Sequence, residues 1–254
     1  MIALWTPLQR RTWLATQRRR ARSAVPFAAP NLRTALVAHF GFDELAGNYS
    51  DDVAGYQLAA VNGATPSGAG LLGNAVAFNG GGGYLAGTEA TDAFAPASNG
   101  LTVSVWANFD GMADLGANAY VASLWQDTGW PTGSAWHLYV TPVPGFVGAD
   151  VFGSVNGFGS LSALSDVSGW VHLGLVFDPA ALQWRLYFNG ALLATLDGEV
   201  FSVAGYLGVG SHTAPITPPP DFLVDELTLW ARPLSATEVT RLYNQGHGLA
   251  YWDY

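Results

Sequence analysis

The residues best suited to chemistry lie in one run, Trp125-Gln126-Asp127-Thr128-Gly129-Trp130-Pro131. An indole can stack on the apolar face of a pyranose while a neighbouring amide and carboxylate hydrogen-bond its hydroxyls. Trp125, Gln126, Asp127 and Trp130 are therefore candidate carbohydrate-binding residues, and His212, in a proline-rich stretch, is another. For Trp130 the competing reading, packing in the core or at its rim, stays open. Catalytic sets are harder to find. The chain offers no Ser-His-Asp combination, no phosphate-cradling glycine loop and no His/Cys metal spacing. Glycoside hydrolysis needs two carboxyl groups facing each other, about 5–10 Å apart. Asp225 and Glu226 are adjacent, so in a regular strand they point to opposite faces. His172 follows Trp170 by two and reads as a core histidine with a satisfied ring nitrogen. No catalytic residue is expected, and the chain is read as a non-enzyme.

The charges are divided along the chain. Residues 1–33 hold seven arginines (Arg10, Arg11, Arg18, Arg19, Arg20, Arg22 and Arg33) and no acid. The remainder has Arg185, Arg232 and Arg241 against all nineteen acids, so +7 and −16 make up the overall −9. A short basic arm of this kind seeks a negative partner, while the acidic body does something else. Thr6 and Pro7 could cap a helix over residues 7–22, with Pro26 and Pro30 forming an extended linker. Arg10, Arg11, Arg18, Arg19, Arg20 and Arg22 are the expected anchoring residues. The acidic body argues against nucleic acid as the main partner, and the arm has no clean apolar stripe for a membrane surface. The Arg10-Arg11 pair is followed by Arg18-Arg19-Arg20 rather than an apolar region, so no cleavable signal is read. No stretch reaches the roughly 18 apolar residues needed for a membrane span.

These candidates must be positioned by strands. Half of the 254 residues are apolar and only 11% are charged, with 31 glycines and 14 prolines, which suits a large core and many turns. There is no cysteine, hence no disulfide framework. Strand-like runs fall at residues 34–42, 75–78, 101–109, 120–126, 135–141, 147–155, 170–178, 184–188, 191–196, 206–210 and 222–231. Asn189-Gly190 between two of them is a strong hairpin signal, because both residues tolerate positive φ. Leu234-Ser235-Ala236-Thr237-Glu238 is a capping box with Leu234 and Val239 as a staple, and Gly246 is expected to end the helix. The aromatic tail Tyr251-Trp252-Asp253-Tyr254 either packs back on the body or meets a partner. The expected fold is all-β: a two-sheet antiparallel jelly-roll sandwich with one short C-terminal helix and an extended or helical basic arm. The organisation is an arm over 1–33, a body over 34–246 and a tail over 247–254.

Six segments in order carry a family likeness. They are Val37–Glu44 with Gly47 and Asp51-Asp52; Gly73–Gly80; Leu101–Trp106; Gly169–Leu173; Leu186–Gly190; and Val224–Leu227 followed by Arg232–Ser235 and Glu238-Val239. This pattern resembles the laminin-G-like branch of the concanavalin A-like lectin/glucanase jelly rolls over about residues 35–246. The resemblance implies the sandwich and buries Trp106, Trp170 and Trp230. The Glu-x-Asp-x-x-Glu run of the glucanase relatives has no counterpart here. The resemblance also implies calcium, held by Asp225 of the closing strand with Asp43, helped by Asp51 or Asp52. Carboxylates and carbonyls from separate loops suit that hard ion.

The resulting expectation is a structural or adhesion protein of a bacteriophage virion, a capsid decoration or tail component. The arm would fix it to other virion proteins or to a sister subunit in a homo-oligomer, and the jelly roll would display a face for a surface glycan. A secreted or cell-surface bacterial lectin is the alternative, and a glycan hydrolase with an unrecognised site is the third.

Overall fold

The computed structural model describes residues 31–95, 99–109, 119–125, 134–141, 146–151, 167–198, 204–211 and 221–254. The anchoring arginines Arg10, Arg11, Arg18, Arg19, Arg20 and Arg22, the helix expected over 7–22, and Gln126, Asp127, Trp130 and His212 lie outside the described residues.

The strands in chain order are β1 (Leu36–Phe40), β2 (Tyr49–Ser50), β3 (Gln57–Val61), β4 (Thr65–Ser67), β5 (Ala75–Asn79), β6 (Tyr84–Gly87), β7 (Leu101–Phe109), β8 (Ala119–Trp125), β9 (Ser134–Thr141) and β10 (Phe146–Val151). They continue with β11 (Gly169–Asp178), β12 (Gln183–Phe188), β13 (Ala191–Asp197), β14 (Tyr206–Val209) and β15 (Asp221–Trp230), and helix α1 (Ala236–Tyr243) follows. Two antiparallel sheets result. The first has the order β13-β12-β11-β7-β15-β5-β4, with β1 also pairing β15. The second has the order β10-β9-β8-β14-β6-β3-β2. The non-consecutive neighbours in both sheets are those of a jelly-roll sandwich.

Period-two alternation explains the core. In β7, Leu101, Val103, Val105, Ala107 and Phe109 face the second sheet, where Leu124, Trp136, Leu138, Val140, Leu207 and Val209 meet them in one buried cluster. Thr102, Ser104 and Trp106 take the opposite face. That outer face has a smaller core of its own. Leu32, Val176, Tyr187, Trp230, Leu234, Val239 and Leu242 pack together beneath α1.

The turns follow local chemistry. Asn189 and Gly190 both have positive φ, 48° and 76°, as the hairpin between β12 and β13 requires. A Cβ on Gly190 would lie 2.8 Å from Tyr243, so α1 also depends on that glycine. The capping box is complete: the Glu238 amide donates to Ser235 Oγ and the Ser235 amide to Glu238 Oε2. The helix ends earlier than expected. Asn244, in the left-handed region, is its C-cap rather than Gly246, since a short amide side chain tolerates that conformation almost as well as glycine.

Residues near both ends of the described chain join the body. Leu32 is buried and its carbonyl accepts from Trp230 Nε1 at 2.6 Å. The tail packs back: Tyr254 stacks on Trp230 and Tyr251 on His39. Arg33 lies 4.6 Å over the Tyr251 ring and donates to its carbonyl. Trp106 and Trp230 are buried as expected, whereas Trp170 is only half-buried.

Candidate functional site

The outward face of the second sheet gathers an unusual set of side chains. In β8, Leu124 points to the core and Ser123 and Trp125 point away. In β9, Trp136, Leu138 and Val140 face inward and His137 and Tyr139 outward. Register brings these together, because Tyr120 pairs with Tyr139, Ser123 with His137, and Trp125 with Tyr206 of β14. Ring contacts agree: Tyr120 to Tyr139 at 5.5 Å, Tyr120 to His137 at 5.6 Å and Trp125 to Tyr206 at 5.4 Å. Irregular register in β8 between Tyr120 and Ala122 keeps Tyr120 outward although Val121 and Ala122 both join the core.

Gly208 of β14 makes room for this arrangement. A Cβ there would lie 2.8 Å from both Ser123 Oγ and Trp125 Nε1, so the indole crosses the strand where no side chain stands. Trp125 is 9% exposed and its Nε1 finds no acceptor. Ser123 Oγ donates to the Ser211 carbonyl at 2.7 Å. Tyr120, Tyr139 and Tyr206 are half-buried, leaving ring surface to solvent. Ser123 and His137 are fully buried and the Trp125 Nε1 is closed to solvent, so the part of this face open to a sugar is the ring surface of the three tyrosines. Of the expected carbohydrate-binding residues, Trp125 belongs to this face. Tyr120, Ser123, His137, Tyr139 and Tyr206 escaped the sequence reading. Their signal was the out-of-phase alternation within β8 and β9.

The aspartates read as calcium ligands have separate engagements. Asp51 caps its own turn, accepting from the amides of Val53, Ala54 and Tyr56. Asp52 accepts from His39 Nδ1 at 3.0 Å. Asp43 Oδ1 accepts from the Asn74 amide. Asp225 is fully buried and takes the amides of Leu72 and Glu226. Its carboxyl pKa is raised well above the usual range, first by burial and then by the charges of Glu226 and, more weakly, Asp43. Among the described residues no three His, Asp or Glu side chains are placed to hold a metal ion.

Asp225 and Glu226 do not alternate across the sheet as expected. Glu226 has φ 51° and the pairing of β15 with β7 slips between Asp225 and Thr228. This irregularity, where β15 exchanges β5 for β1 as neighbour, holds both acids off the core side, between inward-facing Val224 and Leu227. Glu226 thereby accepts from His39 Nε2 at 3.0 Å. Burial alone would lower the His39 pKa. Hydrogen bonds to Asp52 and Glu226, and their charges, outweigh that and raise it to about 9. His39 is a buried imidazolium between two carboxylates.

His172 differs. Its Nε2 meets Ser104 Oγ at 2.8 Å, its Nδ1 has no partner, and burial lowers its pKa to about 3. It is a neutral core residue wedged against Trp106.

A family model of the concanavalin A-like lectin/glucanases superfamily, laminin-G-like, matches residues 79–240. The chain belongs to this superfamily. Solved structures extend the likeness of this laminin-G-like chain at the level of fold. Trypanosoma rangeli sialidase in complex with sialic acid superposes with a TM-score of 0.66 and 15% identity, covering 96% of this chain and 39% of the sialidase. The binding domain of Paraclostridial Mosquitocidal Protein 1 gives 0.63 and 14%, covering 85% and 53%. Botulinum neurotoxin type C, whose cell entry depends on two ganglioside molecules, gives 0.61 and 12%, covering 88% and 54%. The chain thus spans about two-fifths to half of the length of these structures. The comparison with curated protein sequences yields no match. No described helix of this laminin-G-like chain is long and apolar enough to cross a membrane.

Proposed function

We propose that the chain is a carbohydrate-binding module that recognises a glycan on the outward face of its second sheet and does not cleave it. The observation that carries this reading is the placement of two aromatic pairs, Tyr120 with Tyr139 and Trp125 with Tyr206, on one sheet face. A sugar ring covering such a face is held by stacking and by hydrogen bonds to its hydroxyls. The ligands of the similar structures, sialic acid and gangliosides, support a glycan as the ligand class. In an immobilised-glycan screen, the full chain retains selected glycans. Tyr139→Ala and Tyr206→Ala each weaken retention tenfold or more while the near-ultraviolet circular dichroism keeps its shape. Retention indifferent to both changes removes the site from this face. Release of reducing ends from a bound polysaccharide overturns the non-enzymatic part of the reading.

The setting proposed is an assembly such as a virion, with the basic arm docked on acidic neighbouring proteins and the jelly roll displayed. The charge division of +7 against −16 supports it. A secreted lectin would share the glycan face but not the need for the arm. Calcium is proposed only at Asp43 and Asp225, where a divalent ion would offset the burial and, secondarily, the neighbouring negative charge that raise the Asp225 pKa. Two millimolar calcium then raises Tm over EDTA and Asp225→Asn abolishes the increment. An unchanged Tm removes calcium from the proposal.

A further inference from the structure

The glycan reading leaves the charge of the ligand open, and the distribution of cations decides it. A carboxylated sugar held on a protein surface needs a partner for its carboxylate, most effectively the bidentate fork of an arginine. From Thr34 to Tyr254 the chain has three arginines and no lysine, and none of them lies in a connection between β1 and β15: Arg185 is within β12, and Arg232 and Arg241 follow β15. The three are placed away from the second sheet. Arg185 lies on β12 of the first sheet, where Nη2 meets Asp178 Oδ2 at 2.7 Å. Arg232 follows β15 and pairs with Glu238 at 2.6 Å. Arg241 on α1 donates to the Asp253 carbonyl. Arg33, the described cation of the arm, is spent on Tyr251.

Among the described residues no guanidinium or ammonium stands on the aromatic face, and the face belongs to a body with formal charge −16. A carboxylate brought against it would lose water without gaining a cation and would approach like charge. A neutral pyranose meets neither penalty. It offers an apolar ring face to Tyr120, Tyr139 and Tyr206, and hydroxyl oxygens for aromatic hydroxyls. We infer that the outward face of the second sheet accepts uncharged glycans and discriminates against those capped by a carboxylated sugar. The inference rests on the carbohydrate-binding reading and sharpens it, since the fold likeness to sialic acid and ganglioside binders does not extend to the cation that their ligands' charge calls for.

The test uses the full chain and a panel of neutral oligosaccharides, each paired with the same oligosaccharide capped by sialic acid. Measuring in 0.5 M NaCl shortens electrostatic range below about 8 Å, which suppresses capture of anions by the arginine-rich arm. For every neutral glycan that binds, the capped form is expected to bind at least tenfold more weakly. Tyr139→Ala should reduce binding of the neutral form. Capped forms binding as well as or better than their parents would overturn the inference while leaving a glycan site standing. Absence of binding by any member of the panel would overturn the carbohydrate reading and the inference together.

Discussion

At the scale of single residues, His39 concentrates the most electrostatic consequence in the least space. It sits on β1 with one ring nitrogen on each of two carboxylates and the Tyr251 ring stacked at 4.7 Å. Asp52 is 44% exposed while Glu226 is nearly buried, so the imidazolium ties a surface turn to the irregular part of β15. The sign of the pH dependence follows. The folded pKa, about 9, lies above the ordinary 6.5. The stabilisation is fully present below pH 6.5 and is lost as pH rises through 9. A difference of that size corresponds to at most about 3 kcal/mol, reduced by the solvent reaching Asp52. Chemical denaturation at pH 6.5 and 9.5 should show the body less stable at the higher pH. His39→Gln should flatten that difference and cost stability at pH 6.5. An equal drop in the variant would assign it to other groups.

The elements show which parts of the sequence spoke clearly. All eleven expected strands are present, and Leu101–Phe109 keeps its expected limits, because long runs of alternating β-branched and aromatic residues fit a half-buried sheet and little else. The strands that went unread are Tyr49–Ser50, Gln57–Val61, Thr65–Ser67 and Tyr84–Gly87. They are short, two to five residues each, with few β-branched residues, and one holds Pro66, tolerable because β4 is the edge of its sheet. Tertiary pairing rather than propensity makes them strands. The candidate site was legible at one residue, for a related reason. Trp125 stood out by residue type, but its partners Tyr139 and Tyr206 become neighbours only through sheet order. Helix α1 was read almost whole because its cap is local chemistry. Ser235 bonds the Glu238 amide, and Glu238 is held in turn by Arg232. Ser235→Ala is therefore expected to cost about 1 kcal/mol in a denaturant titration with unchanged m-value. A loss near zero would mean that Arg232 and the residue 235 backbone amide suffice to fix Glu238.

For the whole molecule, the question is where the basic arm stops and the body begins. Charge alone groups Arg33 with the arm, yet Leu32 is in the small core under α1 and Arg33 rests on the tail. Those contacts join a residue near the start of the described chain to residues at its other end across the outer face of the first sheet. Two truncations separate the physical boundary from the electrostatic one. Removing residues 1–30 takes six of the seven arm arginines and leaves every described contact intact. The product should keep the full-length Tm and, on the anchoring proposal, lose incorporation into its assembly. Removing residues 1–33 also strips the Leu32 side chain from its core and leaves the buried Trp230 Nε1 without its acceptor. Burial of a leucine is worth about 1.5–3 kcal/mol and an orphaned buried donor about 1–3 kcal/mol, so this product should be several kcal/mol less stable than the first. Equal stability of the two would mean that Leu32 does not close the core. Normal incorporation of the shorter truncation would show that the arginines do not provide the grip, and the acidic body would then have to be held by its own surface.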